Sequence, residues 1–134
     1  MAISRLVARA LAPAVAWTVL SACTPLGPQK PSYIVFFTPY SIELDSEAQR
    51  IVSDAAAAAR AVPGQAVVVL GYAAPAPATT TQQDLTLSRN RSEAVANTLV
   101  LKGVAQSRIV VRPKGSQGGD PGIESRRVEI EFAP

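Results

Sequence analysis

Histidine is absent from this 134-residue chain, and cysteine, methionine and tryptophan each occur once. Without histidine the commonest general base, every Ser-His or Cys-His nucleophile and the usual near-neutral pH switch are missing. One cysteine provides no disulfide framework, and one cysteine without histidine provides no zinc site of the Cys/His type. Catalysis is therefore the disfavoured class, and no catalytic residue, metal site or cofactor is assigned. Charge is sparse as well, with 13 Lys+Arg against 10 Asp+Glu for a net +3. That is too small to argue for nucleic acid, since binding a duplex calls for a clustered basic face, and no nucleic-acid partner is expected. Aromatic residues make up only 5% although hydrophobic residues reach 48%, because 23 residues are alanine. The length allows one domain of ordinary size and no second core.

The first 22 residues do not read as part of a fold. Arg5 and Arg9 supply a positive start, Ala10 to Leu20 is apolar apart from Thr18, and Ser21 and Ala22 are small. This is the pattern of a secretory signal, and its apolar run is shorter than the roughly 20 residues of a membrane span. Leu20-Ser21-Ala22-Cys23 resembles the bacterial lipobox. The resemblance implies cleavage before Cys23, diacylglycerol on its thiol and a palmitate-type chain on its new amino group. Three acyl chains hold permanently where one is marginal, at about 0.8 kcal/mol per buried CH2. In lipoproteins an Asp after the cysteine commonly retains the product in the inner membrane; Thr24 stands there, which implies the outer membrane, facing the periplasm. Residues 24–31 contain Pro25, Pro28 and Pro31 and read as an extended tether. The expected organisation is a signal at 1–22, lipidated Cys23 with its tether at 23–32, and one globular domain at 33–134. Without Arg5 and Arg9 the balance becomes 11 basic against 10 acidic residues, so no polyanion partner is implied.

Within the domain, strand and helix patterns alternate. Tyr33 to Phe37 is β-branched and aromatic and stops at Thr38-Pro39, which predicts a strand. Asp45 to Ala61 opens on a good N-cap and places Ala48, Ile51, Val52, Ala55, Ala59 and Val62 at helical spacing before Pro63-Gly64. Ala66 to Leu70 is continuously apolar, as suits an interior strand, and Gly71 ends it. Ala73 to Thr81 has no period and reads as a loop. A second helix is expected from Thr81 or Gln82 to Lys102, with Leu87, Ala94, Val95, Thr98 and Leu99 on one stripe and Gly103 as its stop. Arg108 to Arg112 gives a third strand, and Arg127 to Phe132 alternates strictly as a fourth. The β-α-β-α-β-β order implies an α/β fold, a two-layer α+β sandwich: a mixed four-stranded sheet with both helices on one face. Lys114 to Asp120 has glycines but no Lys-Ser/Thr ending and no following helix pattern, so it reads as a connector rather than a phosphate loop.

Three segments in register resemble one family. They are Phe36-Phe37 through Ser41 and Leu44 to Glu47-Ala48; Leu87-Ser88-Arg89-Asn90-Arg91-Ser92-Glu93-Ala94-Val95 with Leu99 and Gly103; and Ser125-Arg126-Arg127-Val128-Glu129-Ile130. They are similar to motifs of the C-terminal domain of outer-membrane protein A (OmpA) and of peptidoglycan-associated lipoproteins, the middle one to LSxxRAxxV and the last to NRRVEI. The resemblance implies binding to the meso-diaminopimelate of the peptidoglycan stem, by an Asp in a Gly-His-Thr-Asp turn and by the Arg of LSxxRA. An anion and a planar bidentate cation suit the two ends of a zwitterion.

The match breaks at that turn. The chain has Gly71-Tyr72-Ala73-Ala74-Pro75-Ala76, with Tyr72 for the His and Ala74, or Ala76 by ungapped counting from Arg91, for the Asp. The nearest acid is Asp84, which either substitutes from another angle or is an exposed first-turn residue favoured by the helix dipole. Arg91 falls on the apolar stripe, so it is either an anion-binding arginine near the sheet edge or a snorkelling one that satisfies carbonyls or pairs with a loop acid. By strand parity Arg126 goes with Val128 and Ile130 and is a site candidate, whereas Arg127 reads as a cross-strand charge partner. The expected binding residues are therefore Arg91, Arg126, Asp84 and Tyr72, with Cys23 lipidated. The expected function is a non-catalytic outer-membrane lipoprotein that associates with peptidoglycan and supports envelope integrity. The alternative is a degenerate domain that has lost the wall and binds another envelope protein.

Overall fold

A computed structural model describes residues 31–76, 79–117 and 121–134. The signal, Cys23 and nearly all of the tether lie outside the described residues. Strand β1 (Ser32–Phe36) leads to helix α1 (Ser46–Ala61), strand β2 (Ala66–Tyr72), helix α2 (Thr81–Leu101), strand β3 (Ile109–Gly115) and strand β4 (Arg127–Ala133). Short 3-10 turns at Gln106–Arg108 and Ile123–Ser125 precede β3 and β4. The sheet order is β1-β4-β2-β3, with β4 antiparallel to both neighbours and β2 parallel to β3. This is the mixed four-stranded α/β sheet expected from the sequence, with small boundary shifts: β1 stops at Phe36, β2 continues through Gly71 to Tyr72, and β3 starts at Ile109 and ends at Gly115.

Alternation decides which sheet face is covered. Val128, Ile130 and Phe132 of β4, Val67 and Val69 of β2, and Val35 of β1 are buried in one core with α1 and α2. Helix α1 meets that core with Ala48, Val52, Ala55, Ala56 and Ala59, and methyl-sized side chains let its axis lie close to the strands. Of its other expected apolar positions, Ile51 is only partly buried and Val62 is the exposed C-cap. Asp45 accepts from the Ala48 N–H at 2.8 Å, which caps the helix.

Helix α2 is built differently. Thr80 and Gln83 form a reciprocal capping box at its start, and Gly103, at φ +93°, follows its C-cap. Its buried residues are Asp84, Ser88, Arg91, Ser92, Val95, Ala96 and Leu99, so the N-terminal half of the inward face is polar. Gly71 is the reason for the serines. A Cβ there would stand 1.9 Å from Ser92 Oγ and 2.2 Å from the Ser88 carbonyl oxygen. Helix and strand therefore touch backbone to backbone at this point. Ser92 bonds its hydroxyl to the Ser88 carbonyl at 2.6 Å, and Ser88 Oγ accepts from the Gly115 N–H at 2.9 Å, so neither buried hydroxyl is left unmatched.

Candidate functional site

The parallel pair β2 and β3, the loops after β1 and β2, and the start of β4 converge at one end of the sheet, against the first turns of α2. There they enclose a cleft of about 270 Å3, walled by Pro39, Tyr40, Ala74, Pro75, Ala76 and Leu87 and carrying Asp84, Arg91 and Arg126. Three of the four expected site residues thus meet in one place. Tyr72 does not join them with its ring. That ring lies 4.2 Å from the Arg127 guanidinium, on the side of the sheet where Glu129 also points, because Gly71 occupies the helix-facing position and parity turns Tyr72 the other way. Burial, and after it Glu129, raises the phenol above its ordinary value of 10. Tyr72 contributes to the site only through its backbone carbonyl.

Arg91 is completely buried. Its Nε donates to the Ser41 carbonyl at 2.9 Å, Nη1 to Tyr72 at 3.2 Å and Nη2 to Thr38 at 3.1 Å, with the Phe37 ring 5.1 Å beneath the guanidinium. The side chain thus satisfies carbonyls, as one of its two readings expects, and pairs with no acid among the described residues. Desolvation, and then the nearby Arg126, lower its pKa to about 10, which leaves it cationic at neutral pH. Arg126 is only partly buried; its Nε donates to the Phe37 carbonyl at 3.3 Å and its Nη1 to Pro121 at 3.2 Å. Asp84, one of the two alternatives for which was exposure, is only 4% exposed. The loop at Ala74 to Ala76 lines the same cleft, a neighbourhood that no helical period could reveal.

The ion pairs among the described residues are Arg50 with Glu47 and Asp54, and Arg127 with Glu129. None involves Asp84, Arg91 or Arg126. Arg127 therefore finds its carboxylate two residues along its own strand, not across the sheet as expected, since its neighbour on β1 is Phe36. The cleft holds two guanidiniums and one carboxylate, none neutralised by a described side chain. Its remaining wall is apolar, so its polar contacts are few and directional. Among the described residues no group of three or more His, Cys, Asp or Glu could hold a metal ion, and no helix is long and apolar enough to cross a membrane.

The sequence profile of the OmpA family matches residues 36–126, a span that contains the whole cleft. The chain belongs to the OmpA family. Solved structures with the same fold include the peptidoglycan-associated lipoprotein from Burkholderia pseudomallei, with TM-score 0.67, 21% identity, and coverage of 75% of this chain and 89% of that one. The OmpA-like domain of FopA1 from Francisella tularensis matches at TM-score 0.67 and 21% identity, over 77% of this chain and 72% of that one. The C-terminal domain of Helicobacter pylori MotB matches at TM-score 0.63 and 22% identity, over 75% and 83%. Among curated proteins no sequence matches significantly. Ala74 and Ala76, the two alternative positions for the turn's Asp in the sequence comparison above, both line the cleft.

Proposed function

We propose that this OmpA-family chain is a non-catalytic outer-membrane lipoprotein, anchored through acylated Cys23, whose periplasmic domain holds the peptide stem of peptidoglycan by its diaminopimelate end. The observation that carries the reading is the charge set in the cleft: Arg91, Arg126 and Asp84 line it together, and none of them is in an ion pair among the described residues. A zwitterionic amino-acid end complements that set, its carboxylate directed to the cations and its ammonium to Asp84. The name of the Burkholderia lipoprotein supports the same class of ligand. Full chain in detergent should co-sediment with purified sacculi and be released by free meso-diaminopimelate; an intact chain that stays in the supernatant refutes the reading. Cys23→Ser should move the protein from the membrane to the soluble fraction.

A second reading is favoured by Ala74 and Ala76. Removing one member of a partly buried charge pair can cost several kcal/mol, enough to abolish weak binding, so a domain without the turn acid could serve a protein partner instead. Crosslinking in cells that recovers one envelope protein, with sacculi recovering nothing, selects this reading.

A further inference from the structure

The two cleft arginines have different jobs. Thr38-Pro39-Tyr40-Ser41 forms a tight turn, closed by the Ser41 N–H to the Thr38 carbonyl at 3.2 Å. Pro39 suits its second position, but Tyr40 sits at φ +58° in its third, where glycine or asparagine is usual. Tyr40 is nevertheless 67% exposed and lines the cleft, so the strain is not offset by burial of its ring. Arg91 holds this turn at both ends: Nη2 takes the carbonyl of its first residue and Nε that of its last, while Nη1 ties both to β2. All three nitrogens are engaged and the side chain has no exposed surface. A ligand carboxylate can reach its remaining N–H groups only if the wall opens. Arg126 differs: it is partly exposed, and no described residue accepts from its Nη2.

We propose that Arg126 is the cation that touches the ligand's carboxylate, and that Arg91 instead clamps the Thr38–Ser41 turn that presents Tyr40 as the cleft wall. This rests on the function proposed above for the identity of the ligand, though not for the division of roles. It runs against what the resemblance to LSxxRA implies for Arg91.

The test is phenylglyoxal labelling of the folded full chain, with peptide mapping, alone and with meso-diaminopimelate or N-acetyl-D-alanyl-D-alanine, a carboxylate that has no ammonium. Arg126 should be modified, and Arg91 at least about tenfold more slowly, since attack on a buried group waits on local opening. Either probe that binds should protect Arg126. Arg126→Gln should weaken that probe about tenfold or more, and Arg126→Lys should restore part of the loss, because it keeps the charge without the fork. Tyr40→Gly should weaken the probe without unfolding the chain. Equal labelling of the two arginines, or protection of Arg91 with Arg126 left open, overturns the assignment. Protection of Arg126 by the acetylated dipeptide alone keeps the assignment and removes the diaminopimelate reading; protection by neither probe removes both.

Discussion

Replacing Arg91 with Met keeps much of the side chain's length and apolar stem but removes its donors. Three carbonyls then lose an Arg91 donor: those of Ser41 and Tyr72, and that of Thr38, which keeps the Ser41 N–H of its turn. Hydrogen bonds from a charged donor contribute about 1.5–3 kcal/mol each, so the gross loss exceeds about 4 kcal/mol. Two effects reduce it. The chain no longer buries a cation, which costs several kcal/mol even when well bonded, and Thr38 and Ser41 lie near enough to the surface for water to reach their carbonyls. A net loss of about 3 kcal/mol remains. For a domain of this size, with a urea slope of about 1.5 kcal/mol per molar, the unfolding midpoint should fall by about 2 M. Urea titration followed by circular dichroism measures this, with Arg126→Met as the control: that residue loses two bonds at a partly exposed position, and its midpoint should move by less than half as much. An Arg91→Met midpoint within about 0.5 M of the parent, at unchanged slope, would show that the clamp holds nothing and would refute the reasoning.

Gly71→Ala should be among the most damaging single changes, costing at least about 3 kcal/mol or preventing folding, because the new methyl overlaps the Ser88 backbone carbonyl at 2.2 Å. The double variant Gly71→Ala, Ser92→Ala removes the hydroxyl at 1.9 Å but not that carbonyl, so thermal melts should show little rescue. Tyr40→Gly relieves a left-handed conformation worth about 1–2 kcal/mol while adding about 0.5–1 kcal/mol of backbone entropy to the unfolded chain; its melting temperature should stay level or rise, and a clear fall would disprove the strain. The raised pKa of Tyr72 has a definite sign. The unfolded chain releases the phenolic proton near pH 10 and the folded one later, so this stabilisation is full below about pH 10 and lost as pH rises through the folded value. Arg91, with its pKa lowered to about 10, contributes with the opposite sign in that range, so the Tyr72 contribution is read as the difference between Tyr72→Phe and the parent in urea melts from pH 9 to 11. A parent that does not lose stability relative to Tyr72→Phe as pH rises contradicts the assignment.

The sheet was legible because its chemistry is local. The strict alternation of Arg127 to Phe132 predicts that Val128, Ile130 and Phe132 face inward, and they are at most 4% exposed. Helix α1 was legible for the same reason, with Asp45 as cap and a small-residue stripe. Helix α2 was harder. Hydropathy assigns its inner face to Leu87 and Ala94, both only partly buried, whereas Ser88 and Ser92 lie at full burial. Their place is set by Gly71, seventeen or more residues away in the chain, and only the close backbone approach explains why small polar residues are inside. The isolated glycine within an apolar strand was the available signal, since such a residue marks close contact with another backbone. Tyr72 was misassigned for a related reason: the strand continues through Gly71, and one residue of extra strand fixes which face a side chain takes.

The same geometry links fold and site. Because β2 continues past Gly71, the Tyr72 carbonyl lies where Arg91 can reach it, and because α2 touches β2 at Gly71, Arg91 sits one turn beyond Ser88 under the β1 loop. Two structural demands, close packing and satisfaction of a buried cation, thus account for both the Gly71 and Arg91 that match the family's motifs. Neither demand requires a ligand. Retention of these residues is therefore no evidence that the wall is bound, and the weight of that question moves to groups the fold does not need. Asp84 and Arg126 are such groups: Asp84 makes no ion pair among the described residues, and Arg126 is partly exposed and uses two donors on carbonyls. Asp84 shares the cleft with the two arginines but has no ion-pair partner among the described residues, and a cationic group of the ligand would supply one. Asp84→Asn, which preserves shape and removes charge, is consequently the sharper probe of function than any change at Arg91. It should leave the fold intact and abolish preference for a ligand that carries an ammonium, while binding of a simple carboxylate persists or strengthens.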